Sequence, residues 1–324
     1  MKIFTWHIHG SYLFYLSQGN YEIYIPTKPE KGEGYYGLGE TFPFGKNVIE
    51  IPYDEVRHYQ FDCILFQTNQ NYLTDQYEIL SEEQRALPKI YLEHDPPRQH
   101  PTDTRHLIDD PEITLVHVTH FNRLMWDNGD IPTVVIEHGV TDHGPIYQGD
   151  LARGIVVINN LPARGRLLGF DIFKMVRQQI PIDLVGMGTG EWGLGEILHP
   201  QLPAFQSQYR FFFNPIRYTS LGLAICEAMM MGIPVVGLAT TELSAVINNG
   251  ENGFIHTDID YLIRKMQELL DNPHLAATVG ARGRETAKAR FNISRFTIEW
   301  EQLFQQVTGN PQFTNHETKL IYHE

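Results

Sequence analysis

The chain has 324 residues, 42% of them apolar, 12% aromatic and 20% charged, which is globular composition with material for two cores and no mark of disorder. A formal net charge of -14 disfavours nucleic acid as a partner, because binding a polyanion rests on basic surface; peripheral membrane contact through a local basic patch stays open. Two cysteines, Cys63 and Cys226, cannot make a disulfide framework, and no apolar stretch at the N-terminus is long enough for a signal peptide or membrane span, so a cytoplasmic protein is expected.

Short β-rich runs alternate with helical stretches along the chain, the pattern of parallel sheets with helices on both faces. Strands are predicted near 3–9, 21–26, 48–51, 63–66, 90–92, 114–118 and 134–137, with helices over 71–80 and 120–128 between them. Periodicity is lost over 138–153, where Gly139, Gly144, Pro145 and Gly149 mark a linker. A second series follows, with strands at 155–158, 182–185, 211–214 and 235–238 and helices over 168–178, 223–231, 258–271 and 274–290. The stretch 293–307 carries Phe296, Trp300, Leu303 and Phe304 at helical spacing and can cover one sheet or bridge two domains. The expected class is α/β: two doubly wound, Rossmann-like domains facing a central cleft, over 1–145 and 150–292, with helix 293–307 joining the first and a polar tail at 309–324.

The chemistry concentrates between Phe211 and Gly253. A strand, a loop over 214–222 and a helix opening near Leu223 form an anion site, because free N–H groups at Leu223 and Ala224 and about half a positive charge from the helix dipole suit a diphosphate. Glu227, one turn into that helix, can accept two ribose hydroxyls; taken alone it would read as a surface glutamate. The Gly186-x-Gly188 run is a weak fingerprint, read as a loop beside the base pocket.

Here the sequence resembles the retaining glycosyltransferases of family 4, also called group 1. Residues 222–236, Gly-Leu-Ala-Ile-Cys-Glu-Ala-Met-Met-Met-Gly-Ile-Pro-Val-Val, are similar to the family's Glu-Ala-Met-Ala-x-Gly-x-Pro-Val-Val segment, and 245–255 to its Glu-Val-Val-x-x-Gly-x-x-Gly-x-Leu. Residues 134–140 and 184–188 are similar to its Val-Ile-x-Asn-Gly-Val and Ile-Val-Gly-x-Gly, while the N-terminal half matches mainly in strand rhythm. The resemblance implies the GT-B fold and a metal-independent, hexosyltransferase-type enzyme with no cofactor. Such an enzyme moves a sugar with retention from a nucleotide-diphosphate sugar to an acceptor hydroxyl, in polysaccharide, glycolipid or glycoside biosynthesis.

The same resemblance distributes the roles. Thr219, Ser220, Leu221 and Gly222 fall at the donor, and Thr219 stands where the family has the first Glu of its Glu-x7-Glu pair, the second being Glu227. Glu242 is a candidate to take over the missing sugar contact. The cations that stabilise the leaving diphosphate fall on Arg164 and Arg166, with register leaving both open and a solvated loop as the plainer alternative. His94, in a segment similar to the family's Thr-x-His-Asp, lies near the reacting sugar; a histidine satisfied at a strand end is the competing reading. His9, Gly10 and Ser11 follow the first strand where the family places a Gly-rich loop beside the leaving group.

Fifteen histidines, with clusters such as His7-x-His9 and His94, His100, His106, invite a metal reading, but no cysteine or carboxylate completes a compact ligand spacing, so no metal site is expected. Thr219 keeps open a second reading, a non-catalytic nucleotide-sugar-binding partner subunit, and a third is a sugar-nucleotide epimerase or hydrolase on the same fold. Base, donor sugar, acceptor and oligomeric state are not legible in these motifs.

Overall fold

A computed structural model describes residues 1–309; the rest of the predicted tail, 310–324, lies outside the described residues. Seven parallel strands form the first sheet: β1 (Lys2–Thr5), β2 (Glu22–Thr27), β3 (Val48–Pro52), β4 (Cys63–Phe66), β5 (Lys89–Glu93), β6 (Ile113–His117) and β7 (Thr133–Val135), in the order β3-β2-β1-β4-β5-β6-β7. Five form the second: β8 (Leu151–Val157), β9 (Ile182–Val185), β10 (Tyr209–Asn214), β11 (Val235–Leu238) and β12 (Phe254–His256), in the order β12-β11-β10-β8-β9. In both sheets the chain starts in the middle and works outward, which places a crevice at the strand C-termini. Both faces of each sheet are covered, so central strands such as β10, Tyr-Arg-Phe-Phe-Phe-Asn, are buried from end to end.

The predicted first strand is shorter than its pattern suggested. The alternation Trp6-His7-Ile8-His9 continues the strand rhythm, but His7 leaves the sheet to pair with the turn at 34–37, its Nδ1 bonded to the Gly37 carbonyl at 2.5 Å. Helix Gly10–Leu16 follows at once and buries Tyr12, Leu13, Tyr15 and Leu16. Strand β8 begins inside the predicted linker because its first three residues are exposed and carry no period, and β12, three residues long, is too short to show one.

Helix Leu223–Met231 stops where expected, at Gly232 in the left-handed region followed by Pro234. Arg210 is a charge inside strand β10; its guanidinium donates to the carbonyls of Leu269 and Leu270, which end helix Ile259–Asp271, and to Gly149. The C-terminal helix Ile293–Thr308 crosses back onto the first domain. There it buries Phe296, Trp300, Leu303 and Phe304, with Trp300 Nε1 donating to the Tyr12 hydroxyl at 3.2 Å. No helix among the described residues is long and apolar enough to cross a membrane.

The chain passes between the domains at two adjacent places, tied by Val140 N–H to the Phe291 carbonyl at 2.9 Å. Arg290 clamps this crossing, donating to Glu137 at 2.5 Å and to Glu242 at 2.6 Å. Glu242 is buried, and its other oxygen accepts the Phe121 N–H at 2.8 Å from the first domain. Arg290→Met leaves two carboxylates without their counter-ion, and is expected to cost about 3 kcal/mol in urea unfolding. A midpoint within error of the parent would show that the clamp does not hold the domains.

Candidate active site

Loops at the C-terminal ends of strands from both sheets meet around a cavity of about 510 Å³. From the first sheet come His9, Gly10 and Ser11 after β1, and His94 and Asp95 after β5. From the second come Asn159, Asn160 and Arg164 after β8, Met187 after β9, and the stretch 220–223 after β10. A smaller space of about 150 Å³ continues from it, shared at Ser11, Asn159, Glu196 and Leu223, and is lined further by Val157, Val185, Gly186, Ala224 and Glu227. A third space of about 580 Å³ opens on the first domain and shares His9, His94 and Asp95 with the first.

The floor of the main cavity is a helix start without a capping side chain: Gly222 occupies that position and offers none. Ile225 N–H closes on the Gly222 carbonyl at 3.1 Å, while among the described residues Leu223 and Ala224 N–H have no partner. Arg164 lines the same space and is solvent-exposed. Arg166, one turn on, is 77% exposed and paired with Asp171 at 2.7 Å, a partner that Arg217 also holds. Among the described residues Arg164 has no salt bridge, and partial desolvation together with the neighbouring Arg98 charge pulls its guanidinium pKa down. An unpaired cation beside unpaired N–H groups calls for an anion.

Glu227 lines the smaller space, and its Oε1 accepts the Tyr15 hydroxyl across the domain boundary at 2.7 Å. His199 stands 3.8 Å from the same oxygen. The Gly186 turn has a φ of 142° and lies so close to β8 that an added Cβ would meet the Ile158 carbonyl at 2.7 Å; this admits the loop beside Glu227.

Three imidazoles surround the main cavity. His94 is bonded through Nε2 to Gln67 at 3.1 Å and packs against His9 with ring centroids 4.0 Å apart. His138 donates Nε2–H to the Leu221 carbonyl at 2.7 Å, tying the first domain to the loop before the helix. Burial lowers the pKa of all three, His138 to about 4 and His94 well below the usual range, with the neighbouring rings adding to the effect on His94.

Of the residues singled out from sequence, His9, Gly10, Ser11, His94, Arg164, Ser220, Leu221, Gly222 and Leu223 line the main cavity; Gly186, Ala224 and Glu227 line its extension. Thr219 reaches the rim, its hydroxyl 3.3 Å from Asp95. Three lie apart: Arg166 points to solvent, Gly188 shapes the turn without lining either space, and Glu242 has both oxygens committed to Arg290 and Phe121. For Glu242 a sugar contact is therefore replaced by the interdomain clamp. Sequence reasoning assigned no role to Asp95, Asn159, His138, Tyr15 or His199. Asp95 adjoins His94, His138 lies within the 134–140 resemblance and Asn159 opens the loop that carries Arg164, whereas nothing local marks Tyr15 or His199.

Residues 173–272 match the family model described as glycosyl transferases group 1, in line with the motif resemblance. The trehalose synthase of Pyrococcus horikoshii is 30% identical over 88 residues, covering 27% of this chain and 21% of that protein, so the match spans about a fifth of the relative's length. The sucrose-phosphate synthase of Thermosynechococcus elongatus superposes with a TM-score of 0.70 at 15% identity, covering 95% of this chain and 98% of that one. Anabaena HepE, solved in complex with UDP-glucose, gives 0.67 at 15% identity, covering 94% and 100%. The fold is GT-B, with two Rossmann-like domains.

The neutral histidines set a pH dependence. In the unfolded chain His94 and His138 take up protons near pH 6.5, whereas in the folded protein they resist until well below that, His138 until about 4. The unfolded state thus binds more protons between these limits. Stability is full above about 6.5 and falls as pH drops toward 4, by about 1 kcal/mol per pH unit for each such ring. Melting points at pH 7, 6 and 5 are expected to descend; a level profile would mean the rings are not held neutral.

Proposed function

We propose that the protein is a glycosyltransferase that takes a sugar from a nucleoside-diphosphate sugar and joins it to an acceptor hydroxyl, retaining configuration at the anomeric carbon and using no metal ion. The observation that carries this reading is the juxtaposition of Arg164 with the free N–H groups of Leu223 and Ala224 along one cavity and its extension at the domain boundary. The bound UDP-glucose of the similarly folded Anabaena protein and the group 1 match support a sugar nucleotide as the anion. A role in glycoside assembly accords with the trehalose synthase and sucrose-phosphate synthase to which the chain is similar, and polysaccharide or glycolipid assembly belongs to the same proposal.

On this reading the smaller space takes the nucleoside, with Val157, Val185, Ile197 and Leu202 against the base and Glu227 accepting ribose hydroxyls. The diphosphate rests on the helix N-terminus. As the bond from the sugar's C1 to phosphate oxygen breaks, its electron pair goes to the diphosphate, and Arg164 stabilises the growing charge. The new bond forms from the acceptor oxygen to C1, beside neutral His94, and the acceptor proton leaves on the departing diphosphate. Closure of the domains excludes water that would hydrolyse the donor.

A thermal-shift screen against UDP, GDP, ADP, CDP and TDP and their sugar conjugates, with and without EDTA, tests this. A base-selective shift that survives EDTA is expected, about 2.7 kcal/mol of stabilisation at a hundredfold excess over Kd. No shift with any nucleotide would sink the reading in favour of the non-catalytic subunit that Thr219 keeps open. Glu227→Ala is expected to weaken nucleotide binding by roughly 2 to 4 kcal/mol. Arg164→Ala should lower turnover more than donor affinity, with a smaller effect from Arg166→Ala; equal losses in the two arginine variants would unseat Arg164.

A further inference from the structure

We infer that Asp95 is the carboxylate that holds hydroxyls of the transferred sugar and so helps to select the donor; the inference rests on the cleft being a sugar-nucleotide site. A hexose attached to a diphosphate is a cluster of hydroxyl donors, and the side chain best suited to accept from two neighbouring hydroxyls is a carboxylate. The loop that leads into the diphosphate-facing helix, residues 214–222, contains no acid at all. Asp95 is brought to its rim from the other domain: Oδ1 lies 3.3 Å from the Thr219 hydroxyl and Oδ2 pairs with Arg98 at 2.8 Å.

Its position fits the task. Asp95 lines both the main cavity and the space opening on the first domain, so it stands where the two meet. On that reading the nucleoside fills the smaller space and the diphosphate lies on Leu223, Ala224 and Arg164, which leaves the sugar on the side of that junction. The other carboxylate of the main cavity, Glu196, also lines the smaller space with Glu227 and so belongs to the nucleoside side. The contact from Thr219 is long, and the Asp95 side chain is 34% exposed, which leaves lone pairs for a ligand.

The test compares each nucleoside diphosphate with its glucose conjugate by calorimetry, using the intact parent protein, Asp95→Asn, and Asp95→Asn combined with Thr219→Glu. In Asp95→Asn the conjugate is expected to bind about tenfold more weakly or worse while the matching diphosphate stays within about twofold, and the added Thr219→Glu should restore much of the loss. If Asp95→Asn weakens the diphosphate as much as the conjugate, or neither, Asp95 does not hold the sugar, although the sugar-nucleotide reading stands. If the parent protein binds none of the pairs, that reading falls and the assignment of Asp95 falls with it.

Discussion

The arrangement of the cleft depends on one guanidinium. Arg290 ends the long helix Pro273–Arg290 just where the chain turns back to the first domain, and it binds a carboxylate from each side of the boundary, Glu137 and Glu242. Glu242 in turn accepts the backbone N–H at the start of helix His120–Met125. Because Glu137 adjoins His138, the clamp also fixes the imidazole that holds the Leu221 carbonyl. The loop before helix Leu223–Met231 is thereby positioned from the opposite domain, and with it the helix start that forms the cavity floor.

Electrostatically the cavity is mixed, with the carboxylates Asp95 and Glu196 and the guanidinium of Arg164 on its lining. A protein with a formal charge of -14 here presents Arg164 without a salt bridge among the described residues, with Arg98 close by and three imidazoles kept neutral by burial. Neutral rings can donate or accept without adding to the positive field, so the local cation is left to a ligand. Asp95, paired with Arg98 and close enough to raise the Arg164 pKa, offsets the approach of these two cations from opposite domains.

What could be read in the sequence followed from local pattern. Fully buried parallel strands print continuous apolar runs, so the two parallel sheets were legible, and the stop signal Gly232-Ile233-Pro234 fixes the end of the helix that carries Glu227. The choice between Arg164 and Arg166 was not, because tight consecutive turns over 161–164 and 165–168 send one side chain inward and the other to Asp171. Glu242 looked available for the same reason: its partner Arg290 is far along the chain. Helix Gly10–Leu16 was hidden by the alternating Trp6-His7-Ile8-His9, which carries the strand rhythm past the strand's real end.

That hidden helix joins both halves of the proposed chemistry. Its first turn gives Gly10 and Ser11 to the main cavity, and its last gives the Tyr15 hydroxyl to Glu227. A carboxylate offers about four lone-pair directions, so one phenol leaves capacity for a ribose. Tyr15 therefore holds the Glu227 carboxylate in a fixed orientation, and does so only while the domains are closed on each other. Burial pushes the Tyr15 phenol well above its usual range, with the Glu227 charge adding to the effect, so it remains a donor at any physiological pH. In the proposed function, closure of the cleft and readiness of the nucleoside site are then the same event, carried by a hydrogen bond between two segments that no local motif connects.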